Sequence, residues 1–400
     1  MLKIFALIAI ALLNISVLSA QQTVGTGAMV LTRGTSPIIT GVGGAGVAFP
    51  VADATSFSYN PAHLGSLMRE ENLLFTFSTN TINLSDIPFK NIALNIGYNL
   101  DEHINFPVTV GLALMFQDAD YGDFSKTDYN GNILGKYFLT ESARSFAISA
   151  SAEYYALFSI GMTYKIFNSE LEPLIFEQSY ESGIGHAIDF GASVSIPIMK
   201  KAELLDNIFV DIGANLAWAM LNVGSEIDYL DYTEPFPKTS STGYSLSAVL
   251  NYEKNDFELE LLKINWSAAT MESLTYYDST GFGYDYPFNE ISFVDNLILM
   301  RANSYVRTGF GWNISLLETV SILKGWSYTR NIMLPSDGVV ISSSGMTKLL
   351  KSKYNSKLLN FIAEHISINY YMTKIIIPFS DANDKWIYDT FQGINVAFRL

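Results

Sequence analysis

Apolar and polar residues alternate with a period of two through most of the chain from residue 72 onward. Asn91–Asn99 puts Ile92, Leu94, Ile96 and Tyr98 on one face, against Asn91, Ala93, Asn95 and Gly97 on the other. Val108–Gln117 puts Val108, Val110, Leu112, Leu114 and Phe116 against Thr109, Gly111, Ala113, Met115 and Gln117. The runs Phe158–Ile166, Ile188–Ile196, Ile208–Met220, Val306–Ile314 and Ile366–Met372 repeat the pattern, with Gly161, Gly191 and Gly213 among the small residues of the polar face. Side chains that change face at every residue predict strands.

A soluble sandwich alternates in the same way, so the pattern alone leaves open which face is wet. Three features favour a barrel in a membrane. The runs reach 9–13 residues, the length that crosses a bilayer at a tilt. The polar face is Ser, Gly, Asn, Thr and Ala with few Lys or Glu, which suits a crowded lumen. Aromatics sit near run ends, at Tyr98, Phe116, Tyr154, Tyr155, Phe167, Tyr252 and Tyr328, where an interfacial girdle belongs. About 12–15 segments can be counted. Closure favours an even number, so the predicted fold is all-β, a transmembrane antiparallel barrel of 14 strands.

The connections differ in length. Gln117–Ser142, Gly224–Ser241 and Glu272–Asp295 are long and rich in acid and Tyr, whereas Asn251–Asp256 is short. Long loops on one side and short turns on the other are the barrel habit. In Gly345–Ile366, Met346, Leu349, Leu350, Tyr354, Leu358, Phe361 and Ile362 recur at helical spacing, with Lys348, Lys351, Lys353 and Lys357 between them. That predicts an amphipathic helix. It either packs on the barrel rim or serves as a basic helix for a membrane surface or a partner. The last residues, Gly393–Leu400, alternate again and form a terminal strand.

Composition narrows the class. Charged residues are 16% of the 400, against about 25% in ordinary soluble domains. The formal net charge of -15 argues against nucleic acid, which needs a basic face. Lys3 followed by the ten apolar residues Ile4–Leu13, with Leu18-Ser19-Ala20 behind them, predicts a secretory signal cleaved after Ala20. No later stretch approaches the roughly 18 apolar residues of a membrane helix, and there is no cysteine. The expected division is 1–20 signal, 21–70 a segment placed inside the lumen, and 71–400 barrel. The expected location is the bacterial outer membrane, in contact with its lipid.

No residues point to catalysis. Gly41-x-Gly43-x-x-Gly46 has the spacing of a dinucleotide fingerprint, but Pro37 and Pro50 flank it and no βαβ unit surrounds it. Its glycines are better explained by backbone packing. His63, His103, His186 and His365 are scattered, and no G-x-S-x-G elbow is present. The acidic loops offer carboxylates of the kind Ca²⁺ binds, but no regular calcium loop, and are read as solvated. No cofactor and no metal are expected. Asp53 and Asn60-Pro61 are turn formers.

The stretch Gly43-Gly44-Ala45-Gly46-Val47-Ala48, then Asp53, then Tyr59-Asn60-Pro61-Ala62 and Leu64, resembles the motif that opens mature chains of the PorV/PorQ family within the FadL-like outer-membrane barrels. Phe49-Pro50-Val51 and the terminal Leu400 depart from the common pattern. The resemblance implies a 14-stranded barrel whose N-terminal plug fills the lumen, with Gly41, Gly43, Gly44, Gly46, Asp53, Asn60 and Pro61 as the plug motif. It also implies a non-enzymatic role. One expectation is a protein-handling barrel serving type IX secretion, with secretion subunits or exported proteins as partners. The alternative is a FadL-like channel for fatty acids or other hydrophobic small molecules.

Overall fold

A computed structural model describes residues 27–400 apart from 70, 85–86, 176–180, 225, 230–232, 256, 280, 330–331, 355 and 381–385. The signal stretch 1–20 lies outside the described residues, as does the start of the 21–70 segment.

Fourteen antiparallel strands form one closed sheet. They are β1 Leu73–Leu84, β2 Ile87–Asn99, β3 Val108–Thr127, β4 Ile133–Tyr154, β5 Ala156–Ile175, β6 Glu181–Leu205 and β7 Ile208–Val223. They continue as β8 Thr239–Lys254, β9 Phe257–Ser273, β10 Val306–Leu316, β11 Val320–Thr329, β12 Ile332–Ser342, β13 Ile366–Ser380 and β14 Trp386–Arg399. Each pairs with its sequence neighbour, and β14 closes the ring on β1 from Leu74↔Arg399 to Asn83↔Thr390. Closure leaves no unpaired edge. Leu73, Leu400 and short connections such as Tyr155 and Asp206–Asn207 share one end, the turn end. The other, the loop end, carries the connections 224–238 and 274–305.

The alternation has the polarity of a barrel in lipid. Ile92, Leu94, Ile96, Leu112, Leu114, Phe116, Phe158, Ile160 and Leu216 are exposed, whereas Asn91, Ala93, Asn95, Thr109, Ala113, Ser159 and Asn215 are buried. Large apolar side chains face out and small polar ones face in, the reverse of a soluble protein.

Three expectations change. Gln117–Ser142 is not a loop: β3 and β4 stay paired from Asp120↔Thr140 to Thr127↔Ile133. The ladder carries on past a bulge between Asp120 and Gly122, and only Asp128–Asn132 turns, with the Asp128 carboxylate accepting from the Asn130 and Asn132 N–H groups. Phe167 is not in the girdle. It shares parity with the inward Thr163 and Lys165 and packs edge-on to Phe236 inside the loop end. The stretch 345–366 is two helices, Ser344–Lys353 and Lys357–His365, with Tyr354 and Ser356 extended between them. Asn355 and Ser356 are poor helix formers, and Ser favours the cap position it takes here.

A lumen segment seated on glycine pairs

Residues 27–69 occupy the interior of the barrel. Two short helices, α1 Pro37–Gly41 and α2 His63–Leu67, are joined by turns. Ser36 caps α1, with Pro37 at its first position. Such irregular backbone needs hydrogen-bond partners when buried, and the wall supplies them. The carbonyl of Thr35 accepts from Asn80, that of Pro37 from Thr373, and that of Gly41 from Ser336. Ala48 O accepts from Asn215 and Ser245 at 2.8 and 2.6 Å, and Ala52 O from Asn395 at 2.8 Å. The N–H groups of Val30 and Gly65 donate to Glu141 and Ser149. At the turn end Arg69 ties the segment to Asp101 and Glu153 at 2.6 and 2.9 Å.

Close approach occurs where two wall glycines face each other across neighbouring strands. Gly311↔Gly325 lies under Val42–Gly43, Gly161↔Gly191 under Asn60–Pro61, and Gly97↔Gly111 under Leu64 and Met68. A Cβ on Gly325 would stand 2.7 Å from the Val42 Cα, and one on Gly191 2.8 Å from the Pro61 Cδ. Only glycine lets the two backbones meet.

The residues marked by the sequence motif all lie in this segment. Gly43, at φ 73°, sits against the wall, and its Cβ would stand 2.7 Å from the Phe310 carbonyl. Gly44, at φ 77°, has open space where a Cβ would go. A Cβ on Gly41 would meet Leu323, and one on Gly46 would meet Ile39 and Tyr59. Asp53 is fully buried. Its Oδ1 accepts from the Thr55 N–H, the Thr55 hydroxyl and the Ser78 hydroxyl at 3.0, 3.0 and 2.9 Å. Burial outweighs these bonds and pushes its carboxyl above the usual range. Asn60 Nδ2 donates to Val47 O and to Ala192 O on the wall, and its Oδ1 accepts from the Ala62 N–H. His63 Nε2 also donates to Val47 O, and burial pulls its pKa down to about 4, so the ring is neutral.

Other residues that hold the interior carry no motif. Lys165 and Asp189 pair at 2.8 Å with both side chains buried. Glu141, besides holding Val30, accepts from the Tyr121 hydroxyl at 2.9 Å. Toward the loop end the segment and the wall leave a cavity of about 440 Å³. Arg33, Gly44 and Tyr59 line it from the segment, and Met271, Arg307 and Thr308 from the wall. Among the described residues neither Arg33 nor Arg307 has an ion-pair partner, and no three acidic or histidine side chains come together as a metal site.

No family model and no curated protein matches the chain. Solved structures similar to it include the Pseudomonas putida toluene transporter TodX, at 12% identity and a TM-score of 0.38 over 92% of this chain and 98% of that one. A Pseudomonas aeruginosa FadL homologue gives 9% and 0.38 over 95% and 100%. The transport unit of the Escherichia coli autotransporter AIDA-I gives 10% and 0.39 over 82% and 89%. The barrel is established by the strand pairing above, and these likenesses add nothing to it.

Proposed function

We propose that the chain is a bacterial outer-membrane barrel and that residues 21–70 are its plug. In this reading the space between plug and wall takes up a small solute with an apolar body and an anionic or hydrogen-bond-accepting end. The apolar exterior supports the membrane location. The observation that carries the function is the 440 Å³ cavity, within the roughly 300–1,000 Å³ of small-molecule sites. Leu31, Val47 and Met271 offer it apolar surface, while Arg33 and Arg307 offer unpaired positive charge. This is a FadL-like role, and it has no chemical step.

The absence of native cysteine makes the test clean. Ala54 N–H donates to the Ser78 hydroxyl at 3.0 Å, so Ala54→Cys with Ser78→Cys can cross-link plug to wall. Uptake of a long-chain carboxylate into proteoliposomes is measured oxidised and reduced. Uptake that falls on oxidation and returns on reduction supports the reading. Equal uptake in both states, or none above protein-free vesicles, sinks it.

A second reading is protein handling of the PorV/PorQ type at the loop end. Its support is the N-terminal motif together with the exposed aromatics Tyr129, Tyr286 and Phe288, residue types that anchor partners. Recovery of secretion-system subunits or exported domains with the barrel from outer membranes would favour it over solute uptake.

A further inference from the structure

The helices α3 Ser344–Lys353 and α4 Lys357–His365 connect β12 to β13 at the turn end, where the other connections are mostly short. They lie outside the wall. Phe361 and His365 pack on Phe398 with ring centroids 6.4 and 6.2 Å apart, and His365 Nδ1 donates to Arg399 O. Phe398 points outward, because its neighbour Ala397 is buried with the lumen residue Met68. The start of α3 is fixed to the β10–β11 turn by Lys348–Glu318 at 2.7 Å, and Ser343 exchanges hydrogen bonds with Ile368.

This pair carries more apolar surface than the wall can cover. No residue of α4 is buried. Met346, Leu349, Leu350, Tyr354, Leu358 and Phe361 are all exposed, Leu358 to 69%. A helix in water hides such a stripe. The strands that the helices join carry the exposed Ile341, Ile368 and Tyr370 near their turn ends, which belong to the apolar band of the barrel. The charges are sorted as well. Lys348 and Lys351 are paired with Glu318 and Glu364. Among the described residues Lys353 and Lys357 have no carboxylate partner, and Lys353 lies over the Tyr354 ring. Apolar side chains beside unpaired lysines and an aromatic ring make up the composition of an interfacial helix.

We infer that α3 and α4 are an interfacial anchor. Their apolar side chains enter the phospholipid leaflet at the turn end, and Lys353 and Lys357 meet its phosphates. The inference rests on the membrane reading of the barrel. It adds a lipid-binding surface that strand crossing alone does not require. The helices would fix the depth and tilt of β12–β14 in the bilayer, next to the seam where β14 closes on β1.

Single-cysteine variants of the full chain test this without removing any native thiol. Leu358→Cys reports the helices, Leu112→Cys the middle of the apolar band, and Tyr129→Cys the loop tip. Each carries an environment-sensitive fluorophore in vesicles of phosphatidylethanolamine and phosphatidylglycerol. The expected result is quenching at 358 by lipid-borne quenchers and protection from iodide, as at 112 and unlike 129. Adding Lys353→Glu and Lys357→Glu should raise iodide quenching at 358 several-fold and leave 112 unchanged. Iodide access at 358 equal to that at 129, with 112 in lipid, overturns the anchor while the barrel reading stands. Protection at 358 from both quenchers also overturns it, since a protein would then cover the helices. Iodide access at both 112 and 358 removes the membrane reading and the anchor with it.

Discussion

Gly325→Val separates the seat of the lumen segment from the integrity of the barrel. The three atoms nearest a Cβ there all belong to the segment: the Gly43 N, the Val42 carbonyl carbon, and the Val42 Cα at 2.7 Å. Ordinary contact begins near 3.4 Å, so Val42 must retreat by most of an ångström. Overpacking of this kind costs about 1–3 kcal/mol, and a branched side chain against backbone belongs at the upper end. The retreat also loosens Ile38, Ile39 and Val42, all buried. Each stabilises the seated state by roughly 1.5–3 kcal/mol when fully covered. A net loss of about 3 kcal/mol multiplies the unseated population roughly a hundred-fold. The β10–β11 pairing from Arg307↔Thr329 to Leu316↔Val320 does not involve the new side chain. The assay is limited proteolysis of the folded protein in detergent, read beside heat-modifiable migration in gels. Cleavage within residues 27–69 should rise while the migration shift persists. Gly44→Ala is the internal control. Its Cβ meets nothing, so only the left-handed backbone is penalised, by about 1 kcal/mol, or roughly five-fold in cleavage. Wild-type protection in Gly325→Val, with the barrel intact, would refute the reasoning.

Three further outcomes follow from the interior. Asp53→Ala strands the Thr55 N–H and hydroxyl, while the Ser78 hydroxyl keeps Asn395 Oδ1 at 2.8 Å, and should destabilise the seated segment by about 3 kcal/mol. Asp53→Asn, which keeps an acceptor, should restore most of it. Because burial raises the Asp53 pKa from 3.8, its contribution is full below that value and is lost as pH rises through the raised pKa. Asp53→Asn should therefore remove that part of the pH dependence of protease protection. His63 acts in the opposite sense. With its pKa lowered from 6.5 to about 4, its contribution is full above 6.5 and is lost as pH falls toward 4. A His63→Gln variant should flatten protease protection between those values. Lys165→Met leaves Asp189 buried without its partner and should cost about 3–5 kcal/mol, seen as a lower temperature for loss of the folded gel band. The double change Lys165→Met with Asp189→Leu should recover most of it.

The wall was legible from sequence because period two reports directly which residues share a face. In Asn91–Asn99 and Val108–Gln117 the apolar parity is the exposed one and the small polar parity the buried one. Closure narrowed the strand count to 12 or 14, of which the barrel has 14. What failed were endpoints. Tyr, Gly and Asp between residues 117 and 142 read as loop by composition, yet the β3–β4 ladder runs on through them past a bulge between Asp120 and Gly122. Phe167 read as a girdle residue by type, although its parity places it inside. The interior was half legible. Gly97, Gly111, Gly161 and Gly191 could each be assigned to the polar face, but their facing positions across strands depend on register, which no single run contains. Lys165 and Asp189 are 24 positions apart and belong to two strands, so only pairing reveals them.

The three glycine seats set an order of assembly. Each is complete only when two strands are in register, and the last of the three needs residues near 311 and 325. The segment that docks on them precedes every strand in the chain. It is therefore among the first parts to be synthesised and among the last to gain its full set of partners. Ala52 must wait for Asn395 on the strand that closes the ring. Until then residues 27–69 have only part of the surface on which they fold, and the loop-closure entropy of the rest is recovered only at the end. An assembly intermediate lacking β10–β14 would keep the Gly97↔Gly111 and Gly161↔Gly191 seats but lack Gly311↔Gly325, so protection from protease around Val42–Gly43 is a direct readout of ring completion.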